Sequence, residues 1–292
     1  MEEKNWVQGA LVLEGGGMRG MYTAGVLDFL LEKQLFFSDC YGVSAGACHC
    51  ASYLSNQKGR AFRITIDYLD DPRYASMKSL VKTGDFFGVD MAYRKIPEEL
   101  DLYDYEAFER YPGRFTVVVT NCRTGEAAYL PIRDMKREIM RLRASSSLPF
   151  FARVVNLNGT PYLDGGISDS IPLAKALQDG AKKALVVLTR DETYRKKPLK
   201  GAKALSFFYG RYPALCKAME ERWKMYNREL EEVDRAEKAG RAFVIRPQKP
   251  VQLKRLEKDK EKLTQLYWEG YHDAKAQEEA LLSFFATERK SF

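Results

Sequence analysis

Tyr41-Gly42-Val43-Ser44-Ala45-Gly46 is the stretch on which the reading of this 292-residue chain turns. Gly42, Ser44 and Gly46 spell G-x-S-x-G, the pattern of a serine set on a sharp strand-to-helix bend. Upstream, Leu35 to Tyr41 carries the apolar and aromatic side chains of a short buried strand. Downstream, Ala45 to Leu54 is small and then apolar, as a helix packed on a sheet should be. The two glycines remove side chains that would collide where strand and helix pass closely. The helix then turns backbone N–H groups and a positive dipole end toward whatever the serine meets. So short a pattern arises by chance, and an ordinary tight turn is the alternative until other segments decide.

One β-α unit earlier, Ala10 to Leu13 reads as an apolar strand. Gly15-Gly16-Gly17-Met18-Arg19-Gly20 follows as a loop. Met21 to Leu31 is then a helical pattern, with Val26, Leu27, Leu30 and Leu31 at spacings of three and four. Gly15, Gly17 and Gly20 also fit the G-x-G-x-x-G fingerprint of a dinucleotide site, which wants an acidic residue about 20 positions on. Asp39 is the available match, but it precedes Cys40-Tyr41 at the start of the serine strand instead of following it. The loop is not a P-loop, because no Lys-Ser/Thr follows Gly20. Its other use is as an oxyanion hole, since consecutive glycines let backbone N–H groups approach a developing negative charge. Each such donor is commonly worth about 3 kcal/mol in the transition state. Consecutive parallel strands present their C-terminal ends on one sheet edge, so this loop and the serine turn are expected side by side.

The chain is 45% hydrophobic and 30% charged, an ordinary globular mix that supports one large domain or a domain with an appendage. Met1 to Asn5 is polar and acidic, unlike a signal peptide, and no apolar run is long enough to span a bilayer. A cytoplasmic protein is expected, with side-on contact to a membrane as an option. The five cysteines (Cys40, Cys48, Cys50, Cys122, Cys216) are odd in number and show no C-x-x-C spacing. With only His49 and His272 besides, reduced and partly buried thiols are expected and a zinc site is not. The net charge of +7 is concentrated around Arg195-Lys196-Lys197, Lys200, Lys203 and Lys254-Arg255. That suits a solvated basic face, or anionic lipid headgroups; no nucleic-acid module accompanies it.

After the serine turn, Arg60 to Asp71 reads as a helix or strand end stopped by Pro72. Arg73 to Asp104 is mixed and suits a lid. Phe115 to Thr120 and Ala127 to Pro131 form a hairpin, and Asp134 to Arg143 is helical. The serine run Ser145-Ser146-Ser147 reads first as a cap or turn, with pocket lining as its alternative. Val154 to Leu163 is a hairpin turning at Asn158-Gly159 that delivers Asp164-Gly165-Gly166. A helix from Ile171 to Leu177 and a strand from Ala184 to Thr189 follow. Arg190 to Lys203 reads as basic and mobile, Pro213 to Lys238 as a long helix, Ala242 to Ile245 as a strand and Leu253 to Phe285 as charged helix.

A serine needs a base, because the neutral hydroxyl is a weak nucleophile. The order Ser44, Asp164, His272 matches a Ser–acid–His triad, yet His272 falls inside a charged helical pattern. His49 lies five residues past the serine and points away from it. The remaining candidate is Asp164 itself, a carboxylate whose pKa burial raises toward the working pH. Gly165 and Gly166 leave its approach to Ser44 open.

Gly15 to Gly20, Gly42 to Gly46 and Asp164-Gly165-Gly166 together resemble the patatin-like phospholipases, most closely their bacterial cytosolic branch with a helical C-terminal extension. The resemblance covers roughly residues 8–190. It implies a three-layer α/β/α fold with a mostly parallel central sheet, with residues 191–292 as a mainly helical extension packed on it. It implies a Ser44–Asp164 dyad, an oxyanion hole from the N–H groups of Gly16, Gly17 and Met18, and Arg19 holding the loop. Gly15, Gly20, Gly42, Gly46, Gly165 and Gly166 are supporting positions. The implied reaction is hydrolysis of a lipid or other acyl ester, with no metal and no organic cofactor.

Overall fold

The computed structural model describes residues 5–199, 201 and 203–291. Nine strands share one sheet: β1 (Asn5–Leu13), β2 (Leu35–Val43), β3 (Arg114–Asn121), β4 (Ala127–Ile132), β5 (Val155–Leu157), β6 (Thr160–Asp164), β7 (Ala184–Val187), β8 (Ala242–Ile245) and β9 (Arg289–Ser291). Their order is β5-β6-β3-β2-β1-β7-β8, with β4 also pairing with β3 and β9 with β1. The run β3-β2-β1-β7-β8 is parallel. The remaining pairings are antiparallel: β4 and β6 on β3, β5 on β6, and β9 on the first residues of β1.

The helices are α1 (Met21–Glu32), α2 (Ala45–Leu54), α3 (Arg60–Asp67), α4 (Met77–Thr83), α5 (Tyr105–Glu109), α6 (Met135–Ser145), α7 (Leu173–Gln178), α8 (Lys203–Tyr209), α9 (Pro213–Lys238), α10 (Lys260–Ala276) and α11 (Glu278–Phe284). The period-2 alternation of β1 shows how they form two layers. Leu11 and Leu13 join the core made with α1, α2 and α10, while Ala10 and Val12 join the core made with α7 and α9. The expected three layers are therefore present.

The C-terminal elements belong to the same body. β8 lengthens the parallel run beyond β7. Helix α10 lies against α1, where the missing side chains of Gly25 and Gly270 allow the backbones to touch. A Cβ on Gly270 would come within 2.0 Å of the Tyr22 carbonyl oxygen. Buried tyrosines lock the crossing: the Tyr22 hydroxyl donates to Asp273 and that of Tyr267 to Asp28, each at 2.7 Å.

Four segments depart from the expectation. The charged helix expected from Leu253 to Phe285 starts only at Lys260, as α10, and is broken at Gln277 before α11. Between residues 73 and 104 lie α4 and a π-helical segment, Met91–Leu100, that contains Pro97. Helix α6 runs on through Ser145, so the serine run is not simply a cap. The stretch from Arg190 to Leu199 is tied down: Arg190 donates to the Val251 carbonyl, and Lys196 exchanges two hydrogen bonds with the Asn227 amide on α9. Lys200 and the side chain of Lys203 lie outside the described residues, as do Met1 to Lys4. Arg195, Lys197 and Lys254 are exposed, but Lys196 and Arg255 turn inward.

Candidate active site

The bend at Ser44 is sterically strained. Ser44 has φ 54° and ψ −123°, a region where a side chain costs about 1–3 kcal/mol and persists only when its surroundings enforce it. Both flanking glycines do so. A Cβ on Gly42 would lie 2.6 Å from Ala47 Cα, and one on Gly46 2.7 Å from the Glu14 carbonyl oxygen. Strand β2 and helix α2 can thus approach at van der Waals distance around the serine. The Ser44 N–H donates to Ser145 Oγ at 3.0 Å, and the Ser145 hydroxyl donates to the Val118 carbonyl at 2.7 Å. Ser145 therefore braces the bend, and the pocket-lining alternative for this run holds further on as well, since Ser146 lines the cavity described below.

Register delivers the carboxylate. Val43 pairs with Val118 on β3, and the next β3 residue, Val119, pairs with Asp164 at the end of β6. Asp164 therefore arrives level with Ser44. The Ser44 hydroxyl donates to Asp164 Oδ2 at 2.6 Å, and the Gly166 N–H donates to Oδ1 at 2.8 Å. Both side chains are buried, at 5% and 3% exposure. Burial raises the Asp164 pKa; the hydrogen bond from Ser44, the Arg222 charge, the Gly166 N–H and the Arg255 charge oppose the rise without cancelling it. Neither histidine joins this pair. His272 is exposed on α10 and stacks on Trp268, and His49 is held neutral, its pKa pushed down to about 4 by burial.

The glycine loop leaves β1 and passes beside Ser44. A Cβ on Gly15 would come within 3.0 Å of Ser44 Cβ, and Gly17 has φ 57°. Among the described residues the N–H groups of Gly16 and Gly17 make no hydrogen bond. The Met18 N–H does: it donates at 3.0 Å to the carbonyl of Arg255, in the chain between β8 and α10. Arg19 is buried, and its side chain makes no hydrogen bond or ion pair among the described residues. Glu14, immediately before the loop, accepts from the N–H and hydroxyl of Thr189 and from the Tyr226 hydroxyl, which anchors the start of the loop. Asp39, the acid a dinucleotide site would need, lies in the middle of β2 and pairs instead with Arg114 at the start of β3.

A cavity of about 170 Å³ opens from Ser44 between α2, α3 and α6. Its wall is mainly apolar, including Met21, Ile64, Phe87, Ile139, Leu142 and Leu148. Tyr93 and Pro97 of the π-helical segment form part of it, so the region between residues 73 and 104 is a wall of the site. A second, small cavity adjoins the first at Ser44, among the glycine loop, Asp164, Arg190, Lys196, Arg222 and Arg255. The sequence singled out Ser145 only within a serine run and Arg255 only within a basic cluster, and it gave no signal for Arg222, because each reaches the site through a tertiary contact. All five cysteines are free, and among the described residues no group of three or more His, Cys, Asp or Glu converges as a metal site would require.

The sequence matches known proteins in its first two thirds and again near its end. The profile of the patatin-like phospholipases matches residues 11–177, and that of a domain of unknown function, DUF6363, residues 212–286. The uncharacterized protein YjjU of Escherichia coli is 35% identical over 185 residues, 62% of this chain and 51% of YjjU. The chain thus spans about half the length of that relative. The probable lipid hydrolase 463L of invertebrate iridescent virus 6 is 26% identical over 212 residues, 64% of this chain and 71% of the viral protein. The crystal structure of VipD from Legionella pneumophila overlaps 98% of this chain and 68% of its own at 16% identity, with a TM-score of 0.46. With more than half of its length matched, the chain belongs to the patatin-like phospholipase family.

Proposed function

We propose that the protein is a serine-dependent lipid acyl hydrolase acting on carboxylic esters. The observation that carries this reading is the 2.6 Å hydrogen bond from Ser44 to Asp164, buried at the mouth of an apolar cavity. Asp164 takes the hydroxyl proton as Ser44 Oγ bonds to the ester carbon. The oxygen that becomes negative is met by the N–H groups of Gly16 and Gly17. Met18 joins them only if the Arg255 carbonyl releases it. Collapse breaks the ester C–O bond, and the departing alcohol oxygen takes from Asp164 the proton that came from Ser44. Water, deprotonated by Asp164, then attacks the acyl-serine, and Ser44 leaves with that proton.

The cavity suits the hydrocarbon of an acyl chain, which gains about 25 cal/mol for each Å² removed from water. Support for a lipid substrate also comes from membership of the family and from the name of the viral relative. A dinucleotide reading has no support in the geometry, since Asp39 is engaged elsewhere.

Hydrolysis of a p-nitrophenyl acyl ester tests the proposal. Ser44→Ala and Asp164→Asn should each lower kcat by about 10³-fold, and His272→Ala should leave it within about twofold. An active Asp164→Asn enzyme with an inactive His272→Ala enzyme would hand the base role to the histidine.

A further inference from the structure

The small cavity beside Ser44 has an unusual lining. Arg19, Arg190, Lys196, Arg222 and Arg255 face it, against the carboxylates of Glu14 and Asp164. Neither acid pairs with these cations at ion-pair distance. Glu14 is engaged by Thr189 and Tyr226 instead, and Asp164 by Ser44 and Gly166. Arg19 is only 9% exposed, its Nε has no partner, and neither its side chain nor that of Arg255 makes a hydrogen bond or ion pair among the described residues. Lys196 Nζ rests over the Tyr226 ring at 4.3 Å and pairs with no acid among the described residues. Arg222 donates to the Gly166 carbonyl, which aims its guanidinium into the site next to Asp164.

Like charges gathered without an acid at ion-pair distance, Arg19 buried and the other four half-buried, repel and lose solvation. The shifts agree with that. Burial pulls Lys196 down to about 7, aided by Arg222 and Arg255, and pulls Arg19 down to about 10, aided by Arg190 and Arg255. An anion removes both costs. The cavity is about 20 Å³, room for a single small group and not for a chain. Several guanidinium groups around one point match the many oxygens of a phosphate better than the two of a carboxylate. Gly17, Ser44 and Leu148 line both cavities, so a molecule with its ester carbon at Ser44 has its acyl chain on one side and this cluster on the other.

We propose that Arg19, Arg190, Lys196, Arg222 and Arg255 form a subsite for the phosphate of a phosphorylated acyl ester, with the acyl chain in the apolar cavity. The proposal rests on the reading of Ser44 as the residue that accepts the acyl group. It assigns a role to chain outside the patatin-like match at residues 11–177, because four of the five cations lie beyond it.

Two measurements test it. The first needs no turnover: melting of the Ser44→Ala protein in inorganic phosphate against chloride at equal ionic strength. Phosphate should raise the melting temperature, and the rise should shrink in the Ser44→Ala protein that also carries Arg255→Gln or Lys196→Gln. Equal melting in the two salts overturns the subsite while leaving the hydrolase reading intact. The second compares kcat/KM for a 1-acylglycerol 3-phosphate and the 1-acylglycerol of the same chain. The wild type should favour the phosphorylated ester, and Arg255→Gln and Lys196→Gln should each cut that ratio about tenfold or more. Each variant should melt no lower than the wild type, since each removes a repelled charge. Stabilisation by inorganic phosphate with an unchanged ratio would mean that the site takes the free ion and would overturn the headgroup assignment.

Discussion

Ser44 holds a backbone conformation that a serine avoids unless its neighbours impose it. Its N–H is fixed by Ser145 and its hydroxyl by Asp164, so the side chain has one direction to point. The partner carboxylate carries a stability cost. Burial raises its pKa, so the folded protein binds the Asp164 proton more readily than the unfolded chain does. The stabilisation belonging to the protonated form is complete below the unfolded pKa and is lost as pH rises through the folded one. Asp164→Asn should therefore melt above the wild type at pH 7, with the margin narrowing toward pH 4. A margin that is constant with pH would contradict the raised pKa. At this scale the sequence was legible where chemistry and local sterics coincide: Gly42, Ser44 and Gly46 are constrained by one bend, and Asp164-Gly165-Gly166 announces itself by its order after them. Ser145 was legible only as a member of a serine run; its bracing of Ser44 was not, because that depends on a contact across 101 positions.

The elements place these residues without further adjustment. β2 ends on the edge where β1 ends, and β6 runs back along β3 to bring Asp164 to the same level. Most strands and helices were readable from apolar spacing, including the whole of α9. The chain between β8 and α10 was not. Its Arg255 carbonyl accepts from Met18 and its Lys258 ammonium donates to the Ala75 carbonyl, contacts that no periodicity encodes. The crossing of α1 and α10 was equally hidden, because a helical glycine reads as a weakness until its neighbour is known. Gly270→Ala should overpack that crossing and cost about 2 kcal/mol, read as a lower urea midpoint with an unchanged slope. An unaffected midpoint would mean that the two helices part without penalty.

On the scale of the whole molecule, no helix among the described residues is long and apolar enough to cross a membrane. One face nevertheless exposes large apolar side chains. Phe207 is 84% exposed and Phe208 62%, and Phe150 packs edge-on against Phe208 at 5.5 Å. Leu148, two residues before Phe150, lines both cavities, and Arg211 and Lys217 are exposed nearby in sequence. The side-on contact with an anionic membrane that the sequence analysis offered as an option would use this face. Replacing Phe207 and Phe208 together by serine should weaken sedimentation with phosphatidylglycerol vesicles about tenfold or more, with hydrolysis of a water-soluble ester kept within about twofold. Undiminished sedimentation would remove this face from the account.

The pairing of Ser44 with Asp164 is tested most directly by intact-mass analysis after exposure to a fluorophosphonate. The account predicts a single adduct on the wild type, mapped to Ser44, and none within the same time on Asp164→Asn. A wild type that stays unlabelled, or an Asp164→Asn protein labelled at the wild-type rate, would contradict it.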